Sequence, residues 1–143
     1  MASGAHHIVI HTNSRDQVVA FLNQVVGMSV LHELDIPTEL LEKTMGWPPS
    51  EGTRICTLGE GDRGLVEVVQ IPPSLRGVTR EGLAVLSFLT DDLDATLDRA
   101  EKWTRGRVTR FDTGVSGVDA ALCTVDGITL EFMQVTPLAD TEG

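Results

Sequence analysis

The chain has no tyrosine, four phenylalanines and two tryptophans among its 143 residues. A core so short of rings must be built from Val, Leu, Ile and Met. Two cysteines, Cys56 and Cys123, are too few for a disulfide framework. With no basic neighbour to lower a thiol pKa, both are expected to be small core residues. No apolar run approaches the length that spans a membrane. Residues 1–5 carry neither the basic patch nor the apolar run of a signal peptide, so a reducing cytoplasm is the expected setting. Positive charge is also scarce: 11 Lys and Arg stand against 21 Asp and Glu, a net charge of −10. Such a surface repels phosphate backbones, which argues against a nucleic-acid partner. Phosphate loops, nucleophile elbows and zinc-finger spacings are absent as well.

What is present is strand and helix patterning on a chain of single-domain length, 41% hydrophobic. Residues 7–11 alternate as a strand, with Ile8 and Ile10 on one face and His7, Val9 and His11 on the other. His6, one residue earlier, is expected to point away from His7. Ser14 to Gln17 reads as a capping box, opening a helix whose Val18, Phe21, Leu22, Val25 and Val26 fall at helical spacing and whose stop is Gly27. Strands are expected over 28–33, 54–58 and 64–71. Between the first two, residues 35–52 interrupt the strand pattern with a short helix capped by Thr38 and ended by Gly46. Pro72-Pro73-Ser74 reads as a linker. After it come a strand over 83–89, an N-cap cluster at 90–92, a helix from Leu93 to about Trp103, and strands over 107–111, 120–124 and 128–135. Asp126-Gly127 is a two-residue hairpin signal, and 138–143 reads as a flexible polar tail.

The two halves end alike. Cys56-Thr57 followed by Glu67-Val68-Val69-Gln70 returns as Cys123-Thr124 followed by Glu131-Phe132-Met133-Gln134. Each is preceded by a strand, a polar cap and an amphipathic helix, and self-similarity in element order is a fold-level signal. The chain therefore reads as two strand–helix–three-strand modules, about 6–72 and 82–137, within one domain over 1–137. Neither module is large enough for a secure core alone.

A glutamate inside an apolar strand is costly unless it is paired, solvated or metal-bound. Glu67 and Glu131 both occupy such a position, at matched places in the repeat, and His7 can join them. One imidazole and two carboxylates are a workable donor set for a divalent ion. His11 shares the face of His7. Arg54 is placed to meet an anionic group or to stay solvated at a sheet edge. The 38–45 helix, through Leu41 and Met45, is either an apolar lid or simple packing.

His7-Ile8-Val9-Ile10, the helix ending in Val25-Val26-Gly27-Met28, the later Leu65-Val66-Glu67-Val68, the restart through Asp91-Asp92-Leu93-Asp94-Ala95 and the closing Asp126-Gly127-Ile128-Thr129-Leu130-Glu131 together resemble the vicinal-oxygen-chelate superfamily. That is the glyoxalase, bleomycin-resistance and extradiol-dioxygenase group. The resemblance runs over about residues 6–135. It implies an α+β fold, two βαβββ modules packed as a curved eight-stranded mixed sheet enclosing a pocket. It also implies a divalent metal (Zn, Ni, Co, Mn or Fe) at four positions, which here are His7, Glu67, Val85 and Glu131. Valine cannot ligate, so the metal is held by three side chains and water, or a nearby residue substitutes, or the metal is lost. The implied activity is that of an isomerase, lyase or epimerase acting on a small oxygen-chelating carbonyl compound. Glu131 or Glu67 would be the base, and His11, Arg54, Leu41, Met45 and Val85 would line the substrate pocket. The alternative is a metal-free binding protein that sequesters an antibiotic. A homodimer is expected because family members often pair.

Overall fold

Alternation along the first strand, β1 (Ala5–Thr12), buries His7, Val9 and His11 and leaves Ile8 and Ile10 half-buried on the other face. The structure, a computed structural model, describes residues 5–104 and 107–137; the tail expected at 138–143 lies outside the described residues. After β1 come α1 (Arg15–Phe21), a π-helical turn (Leu22–Val26), β2 (Ser29–Ile36) and α2 (Thr38–Met45). Then follow β3 (Thr53–Gly59), β4 (Leu65–Gln70), a 3₁₀ turn (Pro73–Leu75) and β5 (Gly82–Leu89). The chain continues through α3 (Leu93–Thr104), β6 (Val108–Asp112), β7 (Val118–Val125) and β8 (Ile128–Val135). The fold is α+β, with a strand–helix–three-strand order that occurs twice and eight strands in an open mixed sheet.

Contacts divide the chain into two units within β5, between Leu86 and Ser87. In the first unit β1 pairs with β4 in parallel, and β4–β3 and β3–β2 are antiparallel. Each face of this sheet carries its own core. Val9, Ile55 and Val69 meet Leu41 and Trp47 on one side, with Ile71 and Leu75, and Ile36, Met45 and Val85 pack at the margin. Cys56, Leu58 and Val68 meet Val18, Val19 and Leu22 on the other. The second unit is a β6–β7–β8 antiparallel meander. Leu93 and Leu97 of α3 pack on Ala121, beside Val108 and Phe132. Asp126 (φ 47°) and Gly127 (φ 84°) make the expected tight turn between β7 and β8.

Four local expectations change. Ser14 makes no side-chain cap bond; the Arg15 N–H donates instead to Gln70 Oε1 at 2.8 Å. The apolar stripe after α1 is lost because the chain passes into a π-helical turn, which shifts the phase of the following side chains. Val25 and Val26 are accordingly exposed, and so is Phe21 at the end of α1. Thr38 is the first residue of α2 and not its cap; its hydroxyl accepts the Ser50 N–H at 2.8 Å. β2 also runs on to Ile36, three residues past the expected end.

The duplication reappears in the hydrogen bonds. In the first unit Gln70 takes the Arg15 N–H, and the Ser14 N–H donates to Thr12 Oγ1. In the second, Gln134 takes the Leu93 N–H at 2.8 Å, and the Asp92 N–H donates to Thr90 Oγ1. In both units the closing strand supplies a carboxamide to the opening turn of the unit's helix, satisfying a donor that has no partner within the helix. The glutamines are 64 positions apart, as are Glu67 and Glu131, whereas the two threonines are 78 apart. The segment through α2, which has no counterpart in the second unit, makes up most of the difference.

Candidate functional site

Register decides which side chains of the first unit can meet. Val9 lies opposite Glu67 in the parallel β1–β4 pair, and Thr57 lies opposite Glu67 in the antiparallel β3–β4 pair. Side chains of paired residues point to the same face, so His7, Val9, His11, Ile55, Thr57, Glu67 and Val69 share one. On it, His7 Nε2 and Glu67 Oε2 are 2.6 Å apart, with side chains 8% and 22% exposed. A ring N–H donating to a carboxylate at that distance is a charge-assisted hydrogen bond. His6 departs from the expected orientation, because its Nδ1 lies 2.8 Å from His7 Nδ1. Burial, and then the neighbouring His7, lower the His6 pKa below its ordinary value.

Glu131 stands in β8 of the second unit, opposite Leu122. Its carboxylate accepts the Ser87 hydroxyl at 2.7 Å, and Ser87 is fully buried. Ser87 was not singled out from the sequence. The signal was there, however, in a lone hydroxyl inside the apolar run 83–89.

The remaining candidates take different places. Val85 is half-buried against the Val9–Leu41–Trp47 core, as a packing residue would be. Leu41 is completely buried and Met45 packs at the edge of the same cluster, so α2 packs onto the sheet face that carries His7. Arg54 shares its parity with Cys56 and Leu58, on the face opposite Glu67. Its Nε donates to Asp35 at 2.9 Å, and Glu33 lies 3.7 Å away. Asp35, hydrogen-bonded by that guanidinium, sits below the usual carboxylate range. Burial pushes the thiols of both Cys56 and Cys123 up, as suits core cysteines.

His11 is 7% exposed. Its ring meets Trp47 edge to face, with centroids 4.8 Å apart, and its Nε2 is buried without a hydrogen-bond partner. Burial lowers its pKa to about 4, against about 6.5 in an unfolded chain. The unfolded chain therefore takes up a proton first as pH falls. Stability is lost between about pH 6.5 and pH 4, and this group causes no further loss below that window. Urea midpoints measured from pH 7 to pH 4 should fall more steeply for the wild type than for His11→Leu. Parallel curves would place the titration elsewhere.

The donor types for a metal are present, but not as a ligand set. His7 and Glu67 satisfy each other, and among the described residues no three His, Cys, Asp or Glu side chains gather as an ion would need. Catalytic zinc sites ordinarily use three protein ligands and an open position. Within the first unit the donors are His7 and Glu67, bonded to each other, which do not by themselves make the metal site that the resemblance implies. The pair is a carboxylate bonded to an imidazole, with part of the carboxylate's surface open.

A family model described as Glyoxalase/Bleomycin resistance protein/Dioxygenase superfamily matches residues 4–132. No curated protein matches the chain by sequence. Among solved structures, a variant of Streptomyces coelicolor methylmalonyl-CoA epimerase in complex with 2-nitronate-propionyl-CoA is similar at 19% identity and TM-score 0.67, covering 96% of this chain and 100% of that one. Methylmalonyl-CoA epimerase from Mycobacterium tuberculosis is similar at 17% identity and TM-score 0.66, with 95% and 90% covered. A hypothetical protein from Bacillus halodurans is similar at 16% identity and TM-score 0.65, with 96% and 97% covered. At these identities the likeness is one of fold.

Proposed function

Because the chain belongs to the glyoxalase, bleomycin-resistance and dioxygenase superfamily, we propose that it is an isomerase, lyase or epimerase that moves a proton beside the carbonyl of a small molecule. The observation that carries this reading is the His7–Glu67 pair, at 2.6 Å on adjacent strands. Removing a proton next to a carbonyl needs a base held in place and partly shielded from water. Glu67 is such a base. His7 orients the carboxylate and stabilises its charge through the ring N–H. After abstraction the protonated Glu67 can give the proton to a neighbouring carbon, as an isomerase does, whereas inverting the same carbon, as an epimerase does, needs a second acid to deliver a proton to the opposite face. Glu131, held by Ser87, is the second carboxylate that the resemblance assigns to the reaction. The likeness in fold to methylmalonyl-CoA epimerases favours an epimerase, and pairing into a homodimer belongs to the same proposal.

A second reading has support of its own. Val85 packs in the core and the donors fall short of a metal set, both of which suit a metal-free binding protein. The low aromatic content speaks against flat drug rings as its ligands. Thermal-shift screening separates the two readings. The enzyme reading expects a rise in Tm with carbonyl compounds bearing two neighbouring oxygens and no response to aromatic or glycopeptide antibiotics. A rise with an antibiotic alone would establish the binding protein.

A further inference from the structure

We propose that His11 is a ligand-binding residue of the first unit, and that α2 with Trp47 forms a cover that opens to uncover it. Three observations support this. His11 lies on the same face of β1 as His7, yet its Nε2 is buried with no partner, a condition that costs stability and is rare in folded proteins. Trp47, just after α2, meets the ring edge to face, and Val69 lies opposite His11 in the β1–β4 pair; both belong to the cluster that Leu41 of α2 joins. None of these offers the ring nitrogen a strong partner. The segment is also bounded for movement: Gly46 (φ 66°) and Gly52 (φ 79°) hold left-handed conformations at the end of α2 and just before β3. The Ser50 N–H bond to Thr38 Oγ1 ties the return of the loop to the start of the helix, and the Ser74 N–H and hydroxyl donate to Glu51, so these are the bonds that opening must break or carry along.

The chemistry of the pocket floor then limits what binds there. His11 stays neutral at physiological pH because burial holds its pKa at about 4. A carboxylate or phosphate placed among Trp47, Leu41 and Val69 would meet no counter-charge. The ligand portion that reaches His11 is therefore uncharged and mainly apolar, with a single hydroxyl or carbonyl oxygen to pair with Nε2. Four residues of strand separate His11 from His7, roughly 13 Å. The inference thus rests on the reading of this face as a ligand site and extends it: the substrate is elongated, with its reacting end at Glu67 and an uncharged tail at His11.

The test uses the full chain carrying Trp103→Phe, so that Trp47 is the only tryptophan. Cyclohexanol, an apolar ring with one hydroxyl, is titrated while Trp47 emission is followed, with cyclohexanecarboxylate as the charged control. Saturable binding of the alcohol and none of the acid is expected, and His11→Leu should weaken the alcohol at least about tenfold. Replacing an unpaired buried polar group by an apolar one should also raise Tm by roughly 2–5 °C and slow amide exchange of α2. If the alcohol does not bind, or binds His11→Leu equally well, the proposal falls. It falls equally if His11→Leu lowers Tm with α2 exchange unchanged, as it would if Nε2 held a structural water. These readouts do not depend on Glu67, so failure here leaves the proton-transfer reading to its own tests.

Discussion

Glu67→Gln is expected to abolish turnover while leaving the fold in place. The substitution keeps the size and one hydrogen-bond acceptor for the His7 ring, so β4 should still pair with β1 through the register that sets Val9 opposite position 67. What disappears is the basic oxygen. A positioned general base contributes about 10²–10⁴-fold to a proton-transfer step, so kcat should fall by that factor with KM little changed, since the carboxylate acts in the chemical step. His7→Gln should give a smaller loss, because the carboxylate survives and loses only its partner. A Glu67→Gln enzyme with near wild-type kcat would remove the 2.6 Å pair from the mechanism.

Leu41→Ala is the second large effect, and it acts on stability. Leu41 is completely buried among Val9, Ile55, Val69 and Trp47. Truncating a leucine in such a place loses the transfer energy of the removed carbons and leaves a void, about 2–5 kcal/mol together. For a chain of this size, that corresponds to a fall in Tm of about 10 °C. The measurement also decides what α2 is. A helix resting loosely over a pocket would tolerate the change with a shift below about 2 °C, as exposed positions do. A helix that forms part of the core would not. The account expects the large fall together with faster amide exchange across α2, because in the closed state Leu41 is part of the core.

The parts of the fold that depend on local pattern were legible in the sequence. Alternation placed His7, Val9 and His11 on one face, Asp126-Gly127 marked the last hairpin, and Gly46 ended α2. Features set by distant partners were not legible. The start of α1 looked like a capping box because Ser14 and Gln17 have the right spacing, but the acceptor is Gln70, 55 residues away. Sequence alone also gave no sign of the π-helical turn that exposes Val25 and Val26. The matched glutamates of the repeat and the alternation of β1 pointed to Glu67 and His7, which the structure brings to 2.6 Å. Of the two readings of Arg54, the solvated one fits its 54% exposure, and the alternation that gives it the parity of Cys56 and Leu58 already sets it on the face opposite Glu67. Trp47 was read as part of an irregular return, and only the tertiary structure reveals it as the wall against His11. The repeated glutamine bond at each helix start accounts for the glutamine in the shared ending of the two halves. In each unit the closing strand carries both the glutamate that the resemblance assigns to chemistry and, three residues later, the glutamine that holds the helix.

The central claim is that Glu67, oriented by His7, takes a proton from the carbon beside a carbonyl. It is tested most directly by incubating the protein in D₂O with methylmalonyl-CoA and a set of hemithioacetals and 2-hydroxy ketones, and following loss of the adjacent C–H signal by NMR. The account predicts that at least one compound acquires deuterium at that carbon in the presence of the wild type and at no more than the background rate with Glu67→Gln. Deuterium incorporation that proceeds equally with both proteins, or that occurs with none of the compounds, would contradict it.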